Sequence, residues 1–190
     1  VYPNKMSEWI EFMDTEIIKK NWNTFKTILN RLSDENIDVM LDKLGQRLCI
    51  SPANHNNKMY GCYPGGIVVT STKLAKAMQA LNEFHGNPVD IKSVYKVGLL
   101  HDIGRIGTLA DDYLLPQDSD WHREKLGNEY KINADLPKMS FLHRTMLLLN
   151  QFQIKLTEEE FTALVSLDER DAKNTFCLLY TSPSPRDNTG

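Results

Sequence analysis

This sequence is poor in cysteine and histidine and has no long run of apolar residues. Of its three cysteines, Cys49 and Cys62 lack the spacing of a metal-ligand or redox motif, and we expect both to be reduced thiols of a cytoplasmic protein. No apolar run approaches the ~20 residues that a membrane helix needs, and charges interrupt the first apolar residues, unlike a signal peptide. The formal net charge of −3 also argues against a general nucleic-acid surface.

What the sequence does contain is helical periodicity. Hydrophobic residues make up 41% and charged residues 25% of the chain, which is typical of a globular protein with one core. Near the beginning, apolar residues recur at steps of three and four, and Ser33-Asp34 has the character of a helix N-cap. This pattern predicts three amphipathic helices over 7–20, 22–32 and 35–48.

A loop and two further helices are predicted in the middle of the chain. The segment 51–66 is rich in Pro, Asn and Gly, which favours a loop that ends at Gly65-Gly66. A helix follows it and stops at Gly86-Asn87-Pro88. The next helix starts at Asp90 and runs into His101-Asp102.

The last third combines an irregular segment with two helices. Residues 105–137 are polar and irregular, with a short extended segment at 113–115 and one short helix over 121–130. Thr157 and Glu160 have the spacing of a capping box at the start of the final helix. The predicted fold is therefore all-α, a compact bundle of about seven helices with one long irregular loop.

The end of the chain has a different character. CLLYTSPSPRD, starting at Cys177, matches the translation of a common transposon-end sequencing adapter, and we expect 177–190 to be a non-native tail. A natural Ser/Pro-rich disordered tail is the alternative. Without this tail, the predicted organisation is an N-terminal group of helices over 1–46 that packs on a core domain over 47–176.

The most distinctive polar pair stands in VGLLHDIGRIG, residues 97–107. His101 and Asp102 follow four apolar or small residues, so their surroundings are buried, and a buried charge needs a partner or a metal ion. An imidazole and a carboxylate at a helix end can bind one divalent ion, and such mixed ligands suit Mn, Fe, Ni, Zn or Mg. A bound ion can generate hydroxide from water near neutral pH. The alternative is an accidental dipeptide at the end of a buried helix.

The sequence around this pair resembles a known superfamily. YPGGIVVTSTKLAKAM followed by VGLLHDIGR resembles the HD-domain superfamily of metal-dependent phosphohydrolases, and PQDSDWHREKLGNEY and FQIKLTEEEFTALVSLDE are similar to a group of HD-domain proteins of tailed bacteriophages. The resemblance covers 47–171. It implies a helical HD fold, a bound divalent metal ion and a phosphate-containing substrate such as a nucleotide. If a phage encodes the chain, it also implies a location in the cytoplasm of the host cell.

The resemblance also implies a set of metal ligands. His101 and Asp102 match the central pair of the superfamily, and Asp168 matches its distal aspartate. The first histidine of the pattern falls at Thr70, and a hydroxyl is a poorer ligand than imidazole for a transition metal. The distal turn departs as well, since Leu167-Asp168-Glu169 stands where relatives have His-Asp-Gly or Ser-Asp-Gly.

Other polar residues are candidates for catalysis and phosphate binding. Arg105 follows the pair where the superfamily places Lys or Arg, and it could bind a phosphate through two hydrogen bonds. A surface arginine is the alternative. In the long loop, His122 could act as a general acid, and Arg123 and Lys125 could contact phosphate. Alternatively, this loop cluster is simply solvated.

The next helix adds two candidates. His143 could be a further metal ligand, as extra histidines near this position are in many HD-domain proteins, or it could cap or pack the helix. Arg144 beside it is a candidate for substrate binding. The predicted catalytic residues are therefore Asp102, Arg105 and His122, and the predicted substrate-binding residues are Arg105, Arg123, Lys125 and Arg144.

These features predict a metal-dependent phosphohydrolase that acts on a nucleotide or another phosphate ester. The alternative is a catalytically impaired HD-fold binding module, because Thr70 stands where a metal ligand belongs. A helical structural protein with an accidental His-Asp pair is the third hypothesis. The predicted partner is a phosphate-containing small molecule, and neither a membrane nor a nucleic acid is expected.

Overall fold

The structure is a computed structural model that describes residues 15–168, except for the side chain of Asp168. The described residues up to 155 belong to one compact unit, and those from 156 onward belong to a second. The first part of the predicted helix over 7–20 and the predicted adapter-derived tail at 177–190 lie outside the described residues. The predicted boundary between residues 46 and 47 stays a prediction.

Helices dominate both units, which confirms the predicted all-α fold class. None of the described helices is both long and apolar enough to span a membrane. Described residues of the first unit also form two 3₁₀ helices, Asn30–Leu32 and Ile103–Ile106. The α-helices and strands along residues 15–168 are α1 (Thr15–Leu29), α2 (Glu35–Ile50), α3 (Gly66–Phe84), α4 (Ile91–Leu100), β1 (Leu114–Pro116), α5 (Asp120–Leu126), β2 (Tyr130–Ile132), α6 (Phe141–Gln151) and α7 (Glu158–Asp168).

The first described helix is longer than the sequence pattern suggested. The predicted break between 20 and 22 is wrong, because α1 continues through this position. The segment has no Pro or Gly that would stop a helix. Ile18, Phe25 and Ile28 instead form one buried face that crosses the predicted break.

The connection from α1 to α2 follows the predicted cap. Ser33 has a left-handed backbone with φ of 53°, which ends the short 3₁₀ helix. Asp34 then caps α2, since its side chain accepts a hydrogen bond from the backbone N–H of Asn36 at 3.0 Å. The N-cap predicted at Ser33-Asp34 is therefore confirmed at Asp34.

Helices α3 and α4 pack closely against each other in the first unit. At their contact, a Cβ atom added to Gly98 would lie 2.7 Å from the Cα of Ala75, so only glycine allows this approach. Ala75, Val97 and Leu100 are almost completely buried. The close approach places the end of α4, and with it the His-Asp pair, in the interior of the unit.

The long loop after α4 contains a small hairpin. The extended segment predicted at 113–115 overlaps β1, and β1 pairs antiparallel with β2, with Leu114 opposite Ile132. The helix predicted over 121–130 is too long. It ends where Gly127 adopts a left-handed φ of 72°, a conformation that favours glycine after a helix.

The loop that covers 51–65 is tied to this hairpin by backbone hydrogen bonds. The N–H of Asn57 donates to the carbonyl of Gly127 at 2.8 Å, and the N–H of Tyr130 donates to the carbonyl of His55 at 3.1 Å. The two irregular segments therefore support each other, which satisfies backbone groups that neither segment could pair alone.

In the second unit, α7 begins with the predicted capping box. The hydroxyl of Thr157 accepts a hydrogen bond from the N–H of Glu160 at 3.2 Å, and the Glu160 carboxylate accepts one from the N–H of Thr157 at 3.0 Å. This reciprocal pair confirms the start of the helix. Asp168 is the last residue of α7.

Candidate functional site

The His-Asp pair lies where α4 ends and the 3₁₀ helix Ile103–Ile106 begins. His101 is the C-cap of α4, and Asp102 is the N-cap residue of the 3₁₀ helix. Asp102 is 7% exposed, and the His101 side chain is 16% exposed. The buried apolar end of α4 therefore brings an imidazole and a carboxylate into the interior, where the His101 side chain keeps a small exposed fraction.

The tautomer of His101 follows from its hydrogen bond. Its Nδ1 lies 3.0 Å from the carbonyl oxygen of Gly98, and because a carbonyl oxygen only accepts, Nδ1 carries the proton. Burial lowers the pKa of His101 below its usual value, although the Asp102 charge and the bond to Gly98 oppose this effect in part. The neutral ring then has a lone pair on Nε2.

The two carboxylate oxygens of Asp102 have different surroundings. Oδ1 forms an ion pair with the Nε of Arg105 at 2.8 Å. Oδ2 is buried without a hydrogen-bond partner and lies 3.5 Å from the Nε2 of His101. Two atoms that both accept hydrogen bonds thus face each other in a buried place.

Such a pair is unfavourable without a donor or a cation between the two facing atoms. A buried acceptor with no donor carries a desolvation cost of about 1–3 kcal/mol, more for a charged group. A divalent ion that contacts both Nε2 of His101 and Oδ2 of Asp102 would relieve this cost, and the 3.5 Å separation lets one ion reach both atoms. The hydrogen bond from Nδ1 to a backbone carbonyl is the usual support for a metal-binding histidine.

Arg105 is held in place by protein groups on several sides. Its Nη1 donates to the carbonyl of Ala53 at 3.0 Å, and its Nη2 donates to the hydroxyl of Tyr60 at 3.2 Å. The guanidinium also stacks on the ring of Phe141, 4.0 Å from its centroid. The structure therefore places Arg105 as a clamp between Asp102 and the 51–65 loop.

Thr145 on α6 is a site residue that the sequence did not reveal. Its hydroxyl accepts a hydrogen bond from the N–H of Gly104 at 3.0 Å and donates one to the carbonyl of His101 at 3.1 Å. Thr145 is fully buried. One hydroxyl thus fixes both ends of the turn that carries the His-Asp pair, and no local motif signals this role 44 residues later.

The three predicted residues of the loop cluster lie on α5. His122 is exposed, with Nδ1 2.8 Å from the hydroxyl of Ser119, which is the N-cap of this helix. Arg123 donates to the carbonyl of Gln117 and to the carboxylate of Asp120. Lys125 is exposed in the last turn. Arg123 therefore stabilises its own helix, while His122 and Lys125 face solvent.

The two candidates on α6 have opposite surroundings. His143 is exposed in the first turn, where Ser140 caps the helix. Arg144 is 3% exposed, donates to the carbonyl of Pro137 at 3.2 Å, and lies over the ring of Tyr113, 5.1 Å from its centroid. The structure therefore gives Arg144 a buried position against the long loop.

Thr70 lies in the first turns of α3, half-buried. Its hydroxyl donates to the carbonyls of Gly66 and Ile67, at 2.8 and 3.1 Å, within its own helix. The hydroxyl proton is thus donated to the backbone of α3. The position that the superfamily pattern reserves for histidine offers only a weakly coordinating hydroxyl oxygen here.

The structure does not describe a complete set of metal ligands. Among the residues whose side chains are described, no three His, Cys, Asp or Glu residues are placed to hold one ion. His143 therefore does not complete a set with His101 and Asp102. The predicted third ligand, Asp168, has its side chain outside the described part of the chain, so its role stays a prediction.

Comparisons with known proteins found no relative of this chain. No protein-family model matches this chain, and no curated protein or solved structure matches it. The site is therefore interpreted from its own geometry, in which His101, Asp102 and Arg105 lie together.

Proposed function

We propose that this chain is a metal-dependent phosphohydrolase of the HD-domain type, which acts on a nucleotide or another phosphate ester. The observation that carries the proposal is the buried pair of acceptor atoms, His101 Nε2 and Asp102 Oδ2, that lie 3.5 Å apart. The resemblance of VGLLHDIGR to the superfamily supports the same interpretation.

The chemistry of the donors suits a divalent ion. His101 would bind through Nε2, Asp102 through Oδ2, and Asp168 is the proposed third ligand. This nitrogen and oxygen set fits Mn, Fe, Ni, Zn or Mg rather than a metal that needs thiolates. A bound ion of this kind supplies a hydroxide near neutral pH and polarises a phosphoryl oxygen.

The protein contributes the orientation of these ligands. Gly98 fixes the tautomer of His101, Arg105 holds Oδ1 of Asp102, and Thr145 fixes the turn between them. Arg105 is therefore proposed as a positioning residue. Direct contact with substrate phosphate is proposed for Lys125, the exposed sequence-based candidate on α5.

The proposal is tested with purified chain, by bound-metal analysis and by turnover of deoxynucleoside triphosphates and a generic phosphodiester. We expect metal-dependent hydrolysis that falls at least about 100-fold in Asp102→Asn, because a ligand is lost. Asp42→Asn removes an exposed carboxylate on α2 and serves as the matched control. Unchanged hydrolysis in Asp102→Asn would contradict the metal site.

Thr70 favours a second candidate function, a phosphate-binding module that has lost catalysis. The hydroxyl of Thr70 is bonded within its own helix, and no imidazole stands at the superfamily's first position. Thr70→His separates the two functions. Turnover that appears only in Thr70→His supports the binding module, whereas turnover in the natural sequence that is lost in Asp102→Asn supports the enzyme.

A further inference from the structure

A groove with an excess of positive charge lies on another part of the first unit. It has a volume of about 800 Å³ and is lined by residues of α1, α3, α4 and the 3₁₀ helix after α1. We call it the basic groove, after its four cationic lining residues, Lys19, Lys20, Arg31 and Lys76. The whole chain has a net charge of −3, so this positive charge is a local property.

Most of these cations have no acidic partner within the described part of the chain. Glu16 is the acid in the described lining, and its carboxylate pairs with Lys19 at 3.2 Å. Within residues 15–167, no carboxylate forms an ion pair with Lys20, Arg31 or Lys76. A groove that carries charge of one sign concentrates ligands of the opposite sign.

Arg31 is already positioned for an anionic ligand. Its Nη1 donates to the hydroxyl of Tyr95 at 3.2 Å, and this hydroxyl donates to the Gln79 side chain at 3.0 Å. Tyr95 is 4% exposed, so the hydroxyl that binds Arg31 belongs to a side chain packed in the interior. The Nε and Nη2 groups of Arg31 make no hydrogen bond within the described chain, which leaves one side of the guanidinium available for two parallel bonds to a phosphate.

We infer that the basic groove binds the polyphosphate group of a small molecule such as a nucleoside triphosphate. A volume of about 800 Å³ lies within the usual range for small-molecule sites. Tyr95 is the aromatic residue of the described lining, and it is buried. The described lining therefore offers no exposed ring for stacking on a base, so recognition depends on the phosphates.

This site is independent of the proposed metal centre. The lining of the basic groove shares no residue with the contacts of His101, Asp102 and Arg105. Binding in the groove therefore requires no metal ion. It can be measured in the presence of a chelator, where the proposed hydrolysis cannot occur, so failure of one proposal leaves the other testable.

The experiment is calorimetric titration of the full chain with ATP, inorganic tripolyphosphate and adenosine, in EDTA at low salt. We expect ATP and tripolyphosphate to bind with similar affinity and adenosine not to bind. In the double variant Arg31→Gln/Lys76→Gln, affinity for tripolyphosphate falls at least about tenfold. In the matched control Lys43→Gln/Lys138→Gln, which removes two exposed lysines outside the groove, it falls less than about twofold.

Two results with the natural chain and the double variant overturn the inference. One is the absence of tripolyphosphate binding by the natural sequence, and the other is equal weakening in the groove variant and the control. Thermal unfolding of each variant verifies its fold. If the double variant does not fold, the single exposed change Lys20→Gln replaces it, with an expected weakening of about threefold, and unchanged affinity there also overturns the inference.

Discussion

At the scale of single residues, the candidate site is defined by which atoms lack a partner. Asp102 has one carboxylate oxygen paired with Arg105 and one that is buried without a donor. His101 uses Nδ1 internally and presents Nε2. In an ordinary buried ion pair both carboxylate oxygens would be satisfied, whereas here one oxygen is left for the proposed metal ion.

Arg105→Met is expected to lower the free energy of unfolding by about 3 kcal/mol, because it leaves the buried Asp102 carboxylate without its cation. Urea unfolding followed by circular dichroism measures the change. Lys138→Met, at an exposed position, is the control and should stay within about 0.5 kcal/mol of the natural chain. Unchanged stability in Arg105→Met would show that Arg105 is not a clamp.

Cys62 is expected to react slowly with iodoacetamide. Burial, with the nearby charge of Glu129, raises the pKa of the Cys62 thiol to about 11, and a raised pKa leaves less of the reactive thiolate at any lower pH. At pH 8, alkylation should be at least about 100-fold slower than that of free cysteine, and it should rise about tenfold per pH unit up to pH 10. Peptide-resolved mass spectrometry measures the rate.

Glu129→Gln provides the comparison for Cys62. Removal of the charge should lower the thiol pKa and speed alkylation at pH 8, because the Glu129 charge is one of the causes of the raised value. A rate at Cys62 equal to that of free cysteine at pH 8 would contradict the burial of this thiol beside Glu129.

At the scale of secondary-structure elements, close backbone contacts hold the site. The 3₁₀ helix Ile103–Ile106 packs on α6, and a Cβ atom added to Gly104 would lie 2.6 Å from the backbone nitrogen of Thr145. The added Cβ atom would also clash with the backbone of Phe141. Since backbone atoms cannot rotate away as a side chain can, this contact requires glycine.

Gly104→Ala is therefore expected to lower the free energy of unfolding by about 2–3 kcal/mol, through overpacking. Gly45→Ala is the contrasting variant. Gly45 lies inside α2, and its nearest neighbour is the edge of the Trp22 ring at 3.1 Å, while alanine favours the helix by about 1 kcal/mol. Urea unfolding should show a loss of stability only for Gly104→Ala. Equal free energies of unfolding in both variants would contradict the close contact of Gly104 with α6.

At the scale of the whole molecule, the proposed metal binding would be linked to stability. An ion that binds only the folded chain stabilises it by about 2.7 kcal/mol at 100 times its dissociation constant. For a chain of this size, the thermal midpoint should rise by about 5–10 °C with Mn²⁺ or Zn²⁺, and EDTA should reverse the rise. Differential scanning calorimetry measures the midpoint.

The same scan identifies the ligands. Asp102→Asn should lose the metal-dependent rise relative to its own metal-free midpoint, because the amide is a weaker ligand than the carboxylate. Asp42→Asn should keep it. An equal rise in Asp102→Asn would place the ion elsewhere and contradict the proposed centre.

The sequence predicted the elements better than their junctions. Periodicity predicted the helices. The predicted caps at Asp34 and Thr157 are confirmed, because helix caps depend on neighbouring residues alone. The break within α1 was wrong, and the helix over 121–130 was too long. In the second case β2 begins at Tyr130, whose N–H pairs with His55, 75 residues earlier in the chain, a partner that no local pattern reveals.

The sequence by itself determined the all-α class, the burial of the His101-Asp102 pair and the absence of histidine at Thr70, because these depend on composition and short-range spacing. Only the tertiary structure decided that Arg105 clamps Asp102, that Thr145 fixes the turn, and that Arg31 meets Tyr95 in the basic groove. These roles need partners that lie far apart in the chain, since Arg105 also binds Ala53 and Tyr60 as well as the neighbouring Asp102. Packing of whole helices sets such distances, whereas periodicity records only which face of each helix is buried.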